Sequence, residues 1–115
     1  MKFEGFSFGS IRINGTTYAH DVVIEDGVVR IRNEEPSKKF KEQFGPTPLS
    51  LEEKIPWACS RLVIGTGGGA LPVMKEVKEE AKRRKVKLLI LDTVEAIEEL
   101  KQNPIGTNAI LHVSC

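Results

Sequence analysis

The fold is decided by the stretch Arg61-Leu62-Val63-Ile64-Gly65-Thr66-Gly67-Gly68-Gly69-Ala70. Its first four residues form an apolar-rich run of strand length, and the glycines that follow end that run. Apolar residues at helical spacing come next and predict a helix from about Ala70 to Lys85. The stretch therefore predicts a buried strand that turns sharply into a helix.

Two more strands and one more helix are predicted on the carboxyl-terminal side. Lys87 to Leu91 is a second apolar strand, and Asp92 caps a helix after it. That helix must end near Asn103, because Pro104 disfavours helical geometry in the residue before it. Asn108 to Cys115 is predicted to be the closing strand. The β-α-β-α-β order predicts parallel strands joined by right-handed crossovers.

Two β-hairpins are predicted on the amino-terminal side. Asn14-Gly15 is a strong hairpin signal, and it lies between a strand around Ile11 and Ile13 and a strand at 16–18. The second hairpin joins residues 22–24 to residues 28–31 through Glu25-Asp26-Gly27.

The middle of the chain contains fewer signals. Residues 33–48 are polar and carry prolines, which fits a loop or a short helix beginning at Ser37. Ser50 and Glu53 match a capping box and predict a helix that Pro56 stops early.

Length and composition restrict the class of protein. A chain of 115 residues, 40% hydrophobic and 29% charged, predicts one domain over 1–115. Seventeen basic against sixteen acidic residues give a formal charge of +1, so binding to nucleic acid or to an anionic membrane is not expected. No apolar run has the length of a membrane span, and no secretory signal begins the chain. We therefore expect a cytoplasmic protein, and the Lys- and Glu-rich composition favours a thermophilic source.

The candidate ligand site consists of Gly65, Thr66, Gly67, Gly68 and Gly69 together with Asp92. Gly65-x-Gly67-x-x-Ala70 fits the dinucleotide fingerprint in its G/A variant, placed after a strand and before a helix. Backbone amides at a helix amino terminus favour a phosphate, and Asp92 ends the next strand, where a ribose-binding acid is expected. A small anionic ligand, phosphate-bearing or a nucleotide, is one hypothesis for this site.

The same residues also fit a purely structural role, which we place first. Glycines allow a sharp strand-to-helix turn and a close approach of helix and sheet, and Asp92 is a good helix N-cap. No lysine follows the loop as a P-loop requires, and only half of a two-part dinucleotide fold is present.

The remaining reactive side chains predict no catalytic residue, no metal site and no cofactor. His112 and Cys115 point to opposite faces of a regular strand, so a nucleophile–base pair would need a bulge, and a buried thiol is the preferred interpretation of Cys115. His20 and Asp21 are adjacent in a strand and likewise point apart. The two cysteines have neither zinc-site spacing nor a disulfide pattern.

Several short motifs occur in an order that resembles a known family. They are Phe8-Gly9-Ser10-Ile11-Arg12-Ile13-Asn14-Gly15, Tyr18, Asp21-Val22, Ile64-Gly65-Thr66-Gly67, Thr93-Val94-Glu95-Ala96 and His112-Val113-Ser114-Cys115. The chain resembles, over nearly its whole length, the family of the adipogenesis-associated domain proteins and a mitochondrial complex I assembly factor, which includes archaeal and bacterial proteins of unassigned function.

The resemblance implies an α/β fold of three layers with a central mixed sheet. With the parallel strands predicted above, the expected fold has a central mixed, largely parallel sheet plus the amino-terminal β-hairpins. The resemblance implies no established reaction, and Ile31-Arg32-Asn33-Glu34-Glu35-Pro36 lacks the aromatic residues and the Gly–His found there in many relatives. We therefore expect a non-enzymatic domain that binds a protein partner or a second copy of itself. The complex I role is mitochondrial and is not assigned to this chain.

Overall fold

The computed structural model describes residues 1–114, which form two β-sheets and four short helical segments. The strands are β1 (Phe3–Ser7), β2 (Ser10–Ile13), β3 (Thr16–Tyr18), β4 (Val22–Glu25), β5 (Val28–Ile31), β6 (Arg61–Gly65), β7 (Lys87–Leu91) and β8 (Thr107–Leu111). The helical segments are a 3-10 helix (Glu35–Phe40) and the α-helices α1 (Lys41–Phe44), α2 (Lys75–Arg83) and α3 (Thr93–Gln102).

The central sheet has five strands in the order β5-β4-β8-β6-β7. Strands β8, β6 and β7 are parallel, with Ile64 of β6 opposite both Ile110 and Ile90. Strand β4 is antiparallel to both β8 and β5. The parallel arrangement predicted for the second half and the mixed sheet implied by the resemblance are therefore both confirmed. A separate antiparallel sheet has the order β1-β2-β3.

Alternate side chains of the central strands supply two hydrophobic cores. Val63 of β6 faces α3 and the three-stranded sheet, where Ile11 and Ile13 are buried. Leu62 and Ile64 face the other side and pack with α2 and the 49–57 segment. Because successive strand residues point to opposite faces, one sheet with both faces covered produces the three layers.

Both predicted hairpins are present, and their turns have the expected geometry. Asn14 and Gly15 have φ angles of 50° and 81°, and Asp26 and Gly27 have φ angles of 50° and 76°. Two consecutive residues with positive φ match a type I′ turn, whose twist suits the flanking strands.

The helix predicted from Ala70 to Lys85 begins later, at Lys75, and ends at Arg83. Val73 instead forms a parallel bridge with Leu49, because the Leu49 amide donates to the Pro72 carbonyl and Met74 donates back to Leu49. This long-range pairing holds the segment before Lys75 extended. The helical spacing of Val73 was therefore misleading.

The helix predicted at Ser50 is wrong. Residues 51–53 form turns and a bend, and the Glu53 side chain binds Arg32 instead of capping a helix. For residues 33–48 the helical alternative is correct, although the 3-10 helix begins at Glu35 and not at Ser37. The last strand ends at Leu111, and Cys115 lies outside the described residues.

No helix within residues 1–114 is both long enough and apolar enough to cross a membrane.

Candidate functional site

The glycine turn lies at the carboxyl end of β6, and the amides of Thr66, Gly67, Gly69 and Leu71 bond to the protein itself. The Thr66 amide donates to the Leu91 carbonyl at 2.8 Å, and the Gly67 amide donates to Thr93 Oγ1 at 2.8 Å. The amides of Gly69 and Leu71 both donate to the Thr66 carbonyl. These amides are therefore engaged and do not face a ligand.

Gly67 is needed because the carboxyl-terminal segment crosses it. A Cβ atom on Gly67 would overlap the Ser114 carbonyl oxygen and lie 2.9 Å from His112 Cδ2, and Gly67 has a φ of +72°. Ligands of α/β sheets usually bind in the crevice at this edge, beyond the carboxyl ends of the parallel strands. Here residues 112–114 fill that crevice next to the loop. Of the predicted loop residues, only Gly68 and Gly69 are exposed.

Asp92 is the N-cap of α3, as the structural interpretation expects. Its Oδ1 accepts the Glu95 amide at 2.8 Å. The next residue, Thr93, connects the helix to the loop and to the last strand, because its Oγ1 accepts from Gly67 and donates to the His112 carbonyl at 2.6 Å. Helix α2 begins only at Lys75, so the glycine loop does not lie at its amino terminus. The contacts of the predicted site residues thus favour a structural role.

A polar cluster that the sequence did not predict lies beside this edge. His112 Nδ1 is 2.8 Å from Asp21 Oδ2, and Asp21 Oδ1 accepts the Val113 amide at 3.0 Å. An ionised carboxylate only accepts hydrogen bonds, so Nδ1 carries the proton that this hydrogen bond uses. Among residues 1–114, no hydrogen bond engages Nε2.

The cluster continues inward through Arg32, which is 6% exposed. Its NH1 is 2.8 Å from Asp21 Oδ2, while Nε and NH2 each lie 2.8 Å from one oxygen of Glu53. NH2 also donates to the Pro48 carbonyl at 3.2 Å. Burying charges is costly, and a bidentate pair with the remaining donors satisfied is the arrangement that offsets the cost.

Two buried serines complete the cluster. Ser37 Oγ donates to Glu53 Oε2 at 2.5 Å and lies 2.6 Å from Ser50 Oγ. Ser37 belongs to the 3-10 helix, so the cluster ties that helix to the 50–53 turn. In the described part of the chain, no buried side-chain nitrogen or oxygen is left without a partner.

The electrostatics of the cluster favour its charged forms. Burial alone raises the pKa of Asp21, but the hydrogen bonds from His112, Val113 and Arg32 outweigh it, so the pKa lies below its ordinary value of 3.8. Burial alone lowers the pKa of Arg32, and Glu53 and Asp21 outweigh that effect and raise it. Asp21 is therefore an anion at neutral pH and keeps the His112 ring oriented.

A cleft of about 690 Å³ opens over the exposed side of the cluster. His112, Asp21 and Arg32 lie at its inner side, and the 3-10 helix and α1 contribute Lys38 and Lys41. Lys38 is paired with Glu35 at 2.7 Å, and this hydrogen bond raises the pKa of Lys38. The cleft thus offers an imidazole nitrogen and an ammonium group to a polar ligand. Within residues 1–114, no three His, Cys, Asp or Glu side chains are placed to hold a metal ion.

Sequence reasoning considered some members of this cluster but assigned them other roles. The pattern of the last strand disfavours a pair of His112 with Cys115, which lies outside the described residues, and offers His112 no other partner. The capping-box pattern assigns Glu53 to a helix cap. Asp21 is 91 positions from His112, so no local spacing could connect them. Arg32 directly follows β5. A charged residue at the end of an apolar strand was the one signal in the sequence that could have pointed to its role in this cluster.

Several solved structures have the same fold as this chain. A conserved hypothetical protein, PH1505 from Pyrococcus horikoshii OT3, is 27% identical with a TM-score of 0.83, and the match covers 100% of both chains. The protein MT938 is 24% identical with a TM-score of 0.69, covering 98% of this chain and 97% of that one. A Mth938-like domain from Bordetella pertussis is 16% identical with a TM-score of 0.63, covering 97% of this chain and 85% of that one.

A search of curated proteins gave no match. The model of the family described as "Protein of unknown function (DUF498/DUF598)" matches residues 3–101. The chain therefore belongs to the DUF498/DUF598 family of proteins of unknown function.

Proposed function

We propose that this protein is a non-enzymatic domain that binds a protein partner, in the manner of an assembly factor. The observation that carries this proposal is an exposed apolar surface, which we call the aromatic surface and define by Phe3, Phe6, Phe8 and Val94. Phe8 is 59% exposed and Val94 is 60% exposed. The rings of Phe6 and Phe8 contact each other edge to face, with centroids 5.8 Å apart.

The aromatic surface includes a groove between β1 and α3. The groove has a volume of about 260 Å³, and Phe3, Phe6, Val94 and Ile97 form its apolar part. Glu4, Glu98 and Lys101 provide charged groups around it. An apolar centre within a polar rim is the usual composition of a protein-binding surface. We infer that the partner inserts apolar side chains between the strand and the helix.

The sequence resemblance supports the same proposal. One branch of the resembled family is an assembly factor, which acts by holding other proteins. The location we propose is the cytoplasm, because the two cysteines of the chain have neither zinc-site spacing nor a disulfide pattern.

A photo-crosslinking amino acid at position 8 tests the proposal. We expect it to capture one defined partner in the native host, because an aromatic surface in contact with a partner places position 8 within crosslinking distance. The matched control carries the same group at position 105, where Ile105 is 96% exposed at a site remote in sequence from β1. Equal, diffuse crosslinking from both positions would contradict the proposal.

A second candidate function is binding of a small anion in the cleft, where Lys41 supplies an ammonium group and a protonated His112 would donate a hydrogen bond from Nε2. We infer that a phosphate or carboxylate group would lie between His112 and Lys41, both of which line the cleft. This position differs from the Gly65–Ala70 loop predicted from the sequence, where only Gly68, Gly69 and Ala70 are exposed.

Titration with inorganic phosphate followed by NMR separates these two positions. Binding in the cleft predicts shifts of the Lys41 and Val113 amides, weakened in Lys41→Gln and retained in Lys78→Gln, which alters an exposed residue of α2. Binding at the loop predicts shifts of the Gly68 and Gly69 amides, and a Gly68→Leu variant would abolish them. No shift at either position up to about 10 mM phosphate would reject an anion site of useful affinity.

A further inference from the structure

We propose that two copies of this chain associate through β7, pairing antiparallel about a two-fold axis at Leu89 so that their central sheets become continuous. Strand β7 shares no residue with the aromatic surface, so the inference does not depend on the proposed function. It rests on the composition of β7, on its free backbone groups and on the charges at its two ends.

Strand β7 has the composition of a strand buried inside a sheet, although it lies at the edge. Parallel strands covered on both faces are nearly continuous runs of aliphatic residues, and β7 reads Lys87-Leu88-Leu89-Ile90-Leu91. Ile90 is nevertheless 38% exposed. Edge strands are normally protected by charged side chains, proline or a bulge. Strand β7 has Lys87 at its first position, but it contains no proline and pairs with β6 without a register shift.

The outer backbone groups of β7 are available for pairing. The Lys87 amide donates to Ser60 and the Leu91 carbonyl accepts from Thr66, so these two residues direct their groups toward β6. In a parallel pair the residues alternate, and Leu88 and Ile90 therefore point their N–H and C=O groups away from β6. Leu88 and Ile90 are separated by one residue. This is the spacing between successive hydrogen-bonded positions in an antiparallel pair of strands.

The pairing that uses these groups is self-complementary. Leu88 of one copy exchanges both backbone hydrogen bonds with Ile90 of the other, and Leu89 lies opposite its own equivalent. Aliphatic side chains opposite each other stabilise an antiparallel pair. The two five-stranded sheets would then form one ten-stranded sheet.

The charges at the ends of β7 select the antiparallel direction. Lys85 and Lys87 lie at its beginning, and Asp92 and Glu95 follow its end. Antiparallel pairing brings the lysines of one copy near the acids of the other, whereas parallel pairing would align like charges. The proximity of Asp92 already raises the pKa of Glu95, so added cations are favourable at this end.

The other edge strand, β5, is less suited to pairing with a second copy of itself. Val28 and Arg30 direct their backbone N–H and C=O groups toward β4. Arg32 continues this alternation, because its amide donates to the Asp21 carbonyl. The outward residues are therefore Val29 and Ile31. A two-fold pairing through them would place Arg30 opposite Arg30 of the second copy, and like charges directly opposite are destabilising.

Analytical ultracentrifugation of the full chain tests the proposal. We expect a dimer for the unaltered protein and a dissociation constant at least about 100-fold weaker for Ile90→Lys, because the two-fold axis applies the substitution twice. The matched control Val28→Lys alters a residue of β5 that is 66% exposed and should leave the dimer intact. Circular dichroism and thermal unfolding verify that both variants fold.

Hydrogen exchange gives a second readout at the residues concerned. We expect the Leu88 and Ile90 amides to exchange more slowly as protein concentration rises, while the outward Val29 and Ile31 amides do not change. A monomer at concentrations up to about 1 mM, or a dimer that survives Ile90→Lys without loss of affinity, would overturn the proposal. If Ile90→Lys does not fold, the hydrogen-exchange measurement on the unaltered chain decides whether the dimer forms through β7.

Discussion

His112 Nδ1 and Asp21 Oδ2 lie 2.8 Å apart although 91 residues separate them in the chain. Asp21 follows the first three strands, and His112 follows the last one. Their hydrogen bond therefore joins the amino-terminal and carboxyl-terminal parts of the fold just beyond the carboxyl end of β8, the middle strand of the central sheet. Because Arg32 also binds Asp21, the cluster links this part of the fold to the buried Glu53.

Asp21→Asn should lower the free energy of unfolding at pH 7 by about 1.5–3 kcal/mol, the usual contribution of hydrogen bonds to a charged group. The pKa of Asp21 is lowered in the folded state, so its stabilisation is fully present above the ordinary value of 3.8 and is lost as pH falls through the folded pKa. Urea unfolding measured across pH should therefore show the two proteins converging below about pH 4. A difference that grows toward acid pH would contradict this account.

Arg32→Leu should destabilise the fold by about 3–5 kcal/mol, because it leaves the buried Glu53 carboxylate without its bidentate cation. The double variant Arg32→Leu with Glu53→Leu removes both charges and should regain part of that loss. Chemical denaturation of the unaltered chain, of the single variants Arg32→Leu and Glu53→Leu and of the double variant measures the difference. If the double variant is as unstable as the sum of its single substitutions, the two residues act independently and the ion pair has no special weight.

Thr93→Val should cost about 1–3 kcal/mol, because it leaves the Gly67 amide and the His112 carbonyl without the hydroxyl that bonds to both. Thr93→Ser keeps that hydroxyl and should be close to the unaltered protein. Equilibrium unfolding in urea compares the pair. Equal stability of the valine and serine variants would mean that the hydroxyl does not secure the loop.

Gly67→Ala should destabilise the fold by about 2–4 kcal/mol, because Gly67 has a φ of +72° and a Cβ there would overlap the Ser114 carbonyl. Gly68→Ala is the matched control, since Gly68 is exposed and does not have a positive φ. Thermal unfolding reports both. A Gly67→Ala protein of unchanged stability would show that residues 112–114 do not need the glycine.

Much of the architecture could be predicted because its signals are local. Asn14-Gly15 and Asp26-Gly27 identified both hairpin turns, and Asp92 identified the start of α3. The errors occurred where a distant partner acts on a segment. The residues predicted to form the first turn of α2 are extended instead, because Val73 pairs with Leu49. The helix predicted at Ser50 is replaced by a turn, in which Glu53 binds Arg32.

The candidate site was less accessible than the fold. The glycine cluster was correctly identified as a sharp turn, but its amides bond to Leu91, Thr93 and Thr66, none of which a sequence motif can place. The polar cluster depends on Asp21, Arg32, Glu53 and His112, which come from four separate parts of the chain.

The sequence by itself determined every strand except β1, the positive φ of the two hairpin turns and the parallel α/β arrangement of the second half. These properties depend on residue type and on spacing within a few positions, so they can be read along the chain. Only the tertiary structure decided that the crevice beside Gly67 is filled by residues 112–114 and that Asp21 orients His112. Sheet pairing places remote residues side by side, and the resulting contacts determine which polar groups remain available for binding.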